Sequence, residues 1–223
     1  MAKNNHSDDS NHKQLDTLLR FQATKGEADI YTRALKYAES IVAIENCIAV
    51  VSNLAENSSR IIAGKFAESI GLSDYDREGS IWEKKILSLM TEADRQCKFI
   101  AELRFFHYLK KIVPQKREEY YMISTLRLMA EGRRQIDVMH RMFYVYDKDC
   151  TSVVSAICLY SPLILPCFVG CYVVNSVKGV CEELTQAGDG AILSHRECQV
   201  LSLIDSGLKS REIAEILNIS IHT

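Results

Sequence analysis

The sequence has 223 residues, room for one large domain or a medium one with a small appendage. Hydrophobic residues make up 47% and charged residues 25%, a balance that allows a packed core and excludes a wholly disordered chain. The formal net charge of −2 excludes a broad basic surface, so any contact with nucleic acid must be local.

The eight cysteines contain no Cys-x-x-Cys pair, and they read as reduced thiols of a cytoplasmic protein, not as a disulfide scaffold. The opening stretch MAKNNHSDDSNHK lacks the apolar run of a secretory signal, and residues 1–14 are expected to be a disordered tail. Thr151 to Val177 carries no charge and is long enough to cross a bilayer as a helix. Pro162 and Pro166 interrupt it, however, and its β-branched and aromatic residues suit two short buried strands joined by a proline turn. No membrane partner is expected.

In chain order, residues 15–44 have helical apolar spacing, clearest at Tyr31, Leu35, Ala38 and Val42, with a break at Lys25-Gly26. Cys47–Asn53 and Ser59–Ala63 are β-branched runs separated by turn residues, which predicts a hairpin. Gly64–Leu72 reads as a short helix with Phe66 and Ile70 inward. Ile81–Met90 reads as another, with Trp82, Ile86 and Leu89 inward. Thr91 with Asp94 has the form of a helix cap. The helix it opens carries a stripe of Phe99, Leu103, Phe106 and Leu109 and stops at Pro114.

Beyond Pro114 the period becomes that of strands. Tyr120–Ala130, Gln135–Tyr146 and Ser152–Tyr160 form an antiparallel meander. In the middle strand Gln135, Asp137 and Arg141 mark the wet face, and Ile136, Val138, His140, Met142 and Tyr144 the apolar one. The expected fold is α+β: a five-stranded antiparallel sheet over residues 45–180 with inserted helices on its concave side. This element order resembles a PAS domain, with GKFAESIGL similar to its first short helix and HRMFYVYD to its long fourth strand. The resemblance implies a sensory or dimerising role, a small-molecule ligand and a homodimer. His140, Met142, Tyr144 and Trp82 are the candidate pocket lining.

CEELTQAGDG, residues 181–190, reads as a linker. Residues 191–223 follow. Ser194 and Glu197 form a capping box behind Leu193 as a hydrophobic staple. Val200, Leu201, Leu203 and Ile204 give the first helix an apolar side, and Gly207 ends it. A second helix from Ser210 to Leu217 buries Ile213, Ala214 and Leu217, and Ser220 caps the start of a third. Two short helices and a tight turn make a helix-turn-helix.

The residues L-S-x-R-E-x-x-V-L-x-L-I-x-x-G-x-x-x-x-E-I-A-x-x-L-x-I-S-x-x-T resemble the output domain of LuxR-type transcription regulators. Lys209 stands where that family usually has Ser or Thr. The resemblance implies DNA as partner, with Lys209, Arg211, Ser220 and Thr223 nearest to it. The sequence reaches only the first turn of the family's recognition helix, so this all-α segment is expected to be a truncated helix-turn-helix. From Ala191 on, Arg196, Lys209 and Arg211 are set against Glu197, Asp205, Glu212 and Glu215, and the chain is expected to bind DNA weakly or not at all.

No phosphate-binding glycine loop, nucleophile elbow or His-Glu-x-x-His motif is present, so no enzyme and no catalytic residue is expected. Asp8-Asp9 does not follow a strand, which argues against a phosphoacceptor domain. No flavin or haem signature appears and no cofactor is expected. The spacing of Cys158, Cys167, Cys171 and Cys181 with His140 makes no metal motif, and small buried hydrophobes is the expected role of these thiols. The leading expectation is a cytoplasmic DNA-binding regulator with a PAS-like sensor. A sigma factor would need a basic helical region upstream, and the strand-rich middle supplies none. The alternative is a ligand-binding or dimerisation signalling module without DNA-binding output.

Overall fold

A computed structural model describes residues 6–20, 28–130, 134–164, 169–185, 203 and 210–217. The chain forms two compact units, Met1–Leu184 and Thr185–Thr223.

In the first unit α1 (His6–Arg20) and α2 (Ala28–Glu45) precede the hairpin β1 (Ile48–Asn53) and β2 (Ser58–Ala63). Asn57 turns that hairpin with a positive φ of 50°, a conformation asparagine tolerates. Then come α3 (Phe66–Ser69), the two-residue β3 (Arg77–Glu78), α4 (Lys84–Ser88) and α5 (Glu92–Lys110). The meander β4 (Tyr120–Met129), β5 (Gln135–Tyr146) and β6 (Val153–Pro162) follows, then the hairpin β7 (Cys171–Asn175) and β8 (Val180–Glu183). The one described helix of the second unit is α6 (Ser210–Leu217).

The sheet has eight strands in the order β3-β2-β1-β6-β5-β4-β7-β8, every pair antiparallel. The expected five lie consecutively in it, as β2-β1-β6-β5-β4. The expected count is corrected by three strands. One is β3, a two-residue pairing that leaves no periodic signal. The other two are β7 and β8, whose Asn-Ser-Val-Lys-Gly turn is closed by Asn175 Oδ1 accepting from the Val177 and Lys178 N–H groups at 3.1 and 2.8 Å. Gly179 completes the turn with φ 65°, which a glycine adopts without strain. Cys181–Glu183, expected in the linker, is therefore strand, fully exposed at the sheet edge. Its exposure on both faces removes the alternation that reveals a strand.

Residues 6–14, expected in the disordered tail, lie in α1. Leu15 and Leu19 from its next turns are buried at 0% and 4% exposure, and the indole N–H of Trp82 donates to Asp16 Oδ1 at 2.7 Å. Packing on α5, not helix propensity, orders this polar segment. The helical lead-in is two helices, and its expected break at Lys25-Gly26 lies outside the described residues. The two inserted helices are shorter than expected, about one turn each, because a turn at Ile70-Gly71 ends the first early and a bend over Gly79–Trp82 delays the start of the second. Thr91 caps α5 by accepting from the Asp94 N–H at 3.2 Å. After Lys110 the chain makes a 3₁₀ helix over Pro114–Glu119.

The inner face of the sheet packs on α1, α3, α4 and α5, with Phe66, Ile86, Phe99, Phe105, Phe106 and Leu109 against Met122, Val138, Met142 and Tyr144. On the outer face α2 lays Ala34, Ala38 and Val42 over Ala49, Val51, Ile157 and Leu159. The central strands β1 and β6 are consequently buried on both sides. Gly64 follows β2 where a Cβ would stand 2.5 Å from the Cys47 carbonyl oxygen, so only glycine fits this close approach.

Candidate functional site

Charged residues inside a core are expensive unless paired, and among the described residues three, Glu83, Lys98 and Glu102, are at most 2% exposed. Residues 94, 98, 102, 105 and 109 line the face of α5 that enters the core, which brings Lys98 and Glu102 together at i,i+4. Glu83, just before α4, joins them. Lys98 Nζ lies 2.5 Å from Glu102 Oε1 and 2.8 Å from Glu83 Oε1, and the Tyr160 hydroxyl donates to Glu83 Oε1 at 2.5 Å.

The strands supply the rest. Register pairs His140 with Tyr160 and Met142 with Cys158 across β5 and β6, and Ser124 with His140 across β4 and β5. These residues share the inner face because alternate strand positions point the same way. The His140 ring stacks on Tyr160 with centroids 4.8 Å apart, and its Nδ1 is 3.3 Å from Ser124 Oγ. Its Nε2 is buried without a hydrogen-bond partner and lies 3.9 Å from Glu102 Oε1. Glu102, His140 and Cys158 each place a donor atom within 4.8 Å of the other two.

The two carboxylates are not equivalent. Burial raises both, but Glu83 is carried below the usual range by Lys98 and by the Tyr160 hydroxyl. Glu102 has no hydroxyl donor to match, and burial with the negative charge of Glu83 leaves it raised despite Lys98. Burial opposes the Lys98 ammonium, yet Glu102 and Glu83 together hold its pKa above the ordinary value. Burial, then the nearby ammonium of Lys98, drives His140 well below its ordinary value and keeps it neutral. Burial and both carboxylates push the Cys158 thiol well up.

A cavity of about 20 Å³ lies against the cluster, lined by Leu19, Trp82, Glu83, Lys98, Glu102, Met142 and Cys158 among others; that is room for about one water molecule. Of the four expected pocket residues, Met142 and Trp82 line this cavity. His140 stands beside it in the cluster, and Tyr144 is set apart, stacked on Phe105 with centroids 5.5 Å apart. A larger hollow of about 230 Å³ between Lys110, Arg117, Tyr146 and Val153 involves none of the four. Sequence reasoning missed Lys98, Glu102 and Glu83. The available signal was a charged pair at i,i+4 inside a helix whose surrounding positions are mostly apolar.

In the second unit α6 buries Ile213 and Ala214 at 5% and 7% exposure. Arg211 projects outward, 82% exposed and 3.6 Å from Glu215. Lys209, Ser220 and Thr223 lie outside the described residues, as do the capping box at Ser194 and the stop at Gly207. Of the expected first helix, Leu203 is described, and it is helical and half-buried.

This segment matches a known family: residues 191–223 fit the bacterial regulatory proteins of the luxR family, the GerE type. By that match the C-terminal segment is similar to the luxR-family helix-turn-helix, a DNA-binding module. The match covers the smaller unit and leaves the sheet unit unassigned. A solved structure similar to this chain is the crystal structure of a phage VqmA–DPO complex, at 16% identity, covering 87% of this chain and 75% of that one with a TM-score of 0.28. At that TM-score the likeness says nothing about fold or ligand here. No curated protein matches the chain. Among the described residues no helix is long and apolar enough to cross a membrane.

Proposed function

We propose that the protein is a cytoplasmic transcription regulator in which a PAS-like sensory and dimerising sheet domain, residues 45–180, controls a luxR-type helix-turn-helix. The observation that carries the reading is the family match over residues 191–223. Two further features support the sensor. The strand order β2-β1-β6-β5-β4 with α3, α4 and α5 on one face agrees with the PAS element order. The buried cluster of Glu83, Lys98, Glu102 and His140 beside a cavity is a polar investment that packing alone does not require.

In this reading a ligand bound on the inner face, among His140, Met142, Tyr144 and Trp82, shifts the pairing of two subunits. That shift sets whether two output modules reach adjacent half-sites. Arg211 and Lys209 neutralise phosphates, and Ser220 and Thr223 approach the backbone at the start of the recognition helix.

The test offers random duplexes to this chain and to one extended through a complete recognition helix. The extended chain retains a discrete set of sequences with an affinity that falls steeply with salt. Arg211→Ala weakens binding uniformly and lowers the salt slope by about one. An extended chain that folds but retains no duplex overturns the reading.

A further inference from the structure

We propose that Glu102, His140 and Cys158 form a buried binding site for a divalent transition-metal ion of borderline softness, of the Zn²⁺ and Co²⁺ kind. The site stands on core geometry and does not depend on the DNA-binding reading.

Carboxylate, imidazole and thiolate are the three protein donors such ions take. Here one of each converges from α5, β5 and β6 with all donor atoms within 4.8 Å of one another. Bond lengths of about 2.0–2.3 Å ask these atoms to close by roughly 1 Å. The imidazole is already oriented for the task. Ser124 Oγ, 3.3 Å from Nδ1, accepts the Nδ1–H in the tautomer that leaves the Nε2 lone pair free. Nε2 is the buried atom without a hydrogen-bond partner, and it faces the Glu102 carboxylate 3.9 Å away. Metal-bound histidines are held by an outer partner in the same way.

Charge counting points the same way. Glu83 and Glu102 face Lys98, so two negative groups share one buried ammonium. A divalent ion that displaces the thiol proton of Cys158 balances the set: three negative ligand and partner groups against Lys98 and the metal. Lys98 keeps Glu83 at 2.8 Å when Glu102 turns an oxygen to the ion. The cavity of about 20 Å³, lined by both Glu102 and Cys158, has room for a water as the fourth ligand, the arrangement of an open zinc site.

The experiment titrates Co²⁺ into the chelator-treated full chain. Binding of one equivalent, with a thiolate-to-cobalt charge-transfer band that added Zn²⁺ abolishes, is the expected result. Cys158→Ser removes the band, whereas substituting the exposed Cys97 and Cys181 leaves it unchanged. Ser124→Ala keeps the band and weakens affinity about tenfold, the usual size of an outer-partner effect. Absence of the band in the wild type, or its survival in Cys158→Ser, overturns the proposal. If Cys158→Ser fails to fold by circular dichroism, Ser124→Ala and His140→Gln decide, and unchanged Co²⁺ affinity in both overturns it.

Discussion

The two faces of the sheet are covered by opposite means. On the outer face α2 approaches closely through Ala34 and Ala38, and the buried layer between it and β1 and β6 consists of small and aliphatic side chains. On the inner face α5 stands off on large aromatics, and the space this creates holds Glu83, Lys98, Glu102 and His140 at 0–2% exposure. Apolar packing would have served both faces. A buried ion pair seldom adds net stability over well-packed hydrophobes, so the charged cluster of the inner face is not explained by cohesion, whereas the apolar layer of the outer face is.

The contrast is broken most severely at Lys98. Lys98→Met strands two buried carboxylates and is expected to cost about 3–5 kcal/mol, whereas the triple change Lys98→Met, Glu83→Leu, Glu102→Leu is expected to be neutral or stabilising by about 1–4 kcal/mol. Chemical denaturation of the three proteins checks this. A triple variant as unstable as the single one would show that the charges are structural. On the outer face the vulnerable property is closeness instead of charge. Ala38, 0% exposed, leaves no room, and Ala38→Leu is expected to destabilise by about 1–3 kcal/mol through overpacking, read as a lowered denaturation midpoint with unchanged m-value.

The smallest effect lies away from both faces, in the β5–β6 turn. Asp147 accepts from the Thr151 N–H at 2.7 Å, the Thr151 hydroxyl at 2.9 Å and the Ser152 N–H at 3.2 Å. Slight burial raises its carboxyl, but these donors outweigh that and leave it lowered. A carboxylate lowered in the folded state adds stability above its unfolded pKa of about 3.9, and that stability is lost as pH falls through the folded value. Asp147→Asn is therefore expected to cost about 1 kcal/mol or less at pH 7, since the turn is solvent-screened. The gap to wild type closes as pH falls below about 4, as thermal melts at successively lower pH would record. A gap independent of pH would assign the effect to the turn's shape.

Much of the sheet unit was legible, for reasons particular residues make plain. Alternation in Gln135–Tyr146 matches a strand wet on one face and buried on the other, and Thr91 with Asp94 marked the start of α5 by side-chain chemistry alone. The strand β7 lies where the stretch Thr151–Val177 suggests a second strand after the proline turn, whereas β8 escaped notice because it is exposed along its length and carries no alternation. The order of α1 escaped because it depends on Trp82 and α5, distant in sequence. Within the candidate site, His140 and Met142 were visible from strand phase, while Lys98 and Glu102 lie off the apolar stripe of Phe99, Leu103, Phe106 and Leu109 and drew no reading.

The sequence alone determined what local periodicity and fixed motifs encode: the meander, the hairpin β1–β2, the helix opened at Thr91, and the luxR-type segment at residues 191–223. These depend on residues a few positions apart, so spacing suffices to specify them. Only the tertiary structure decided that Glu83, Lys98, Glu102, His140 and Cys158 meet in one buried cluster. Their charge states, and hence what the cluster can bind, follow from desolvation and from partners up to 77 residues apart in the chain, quantities that no window of sequence contains.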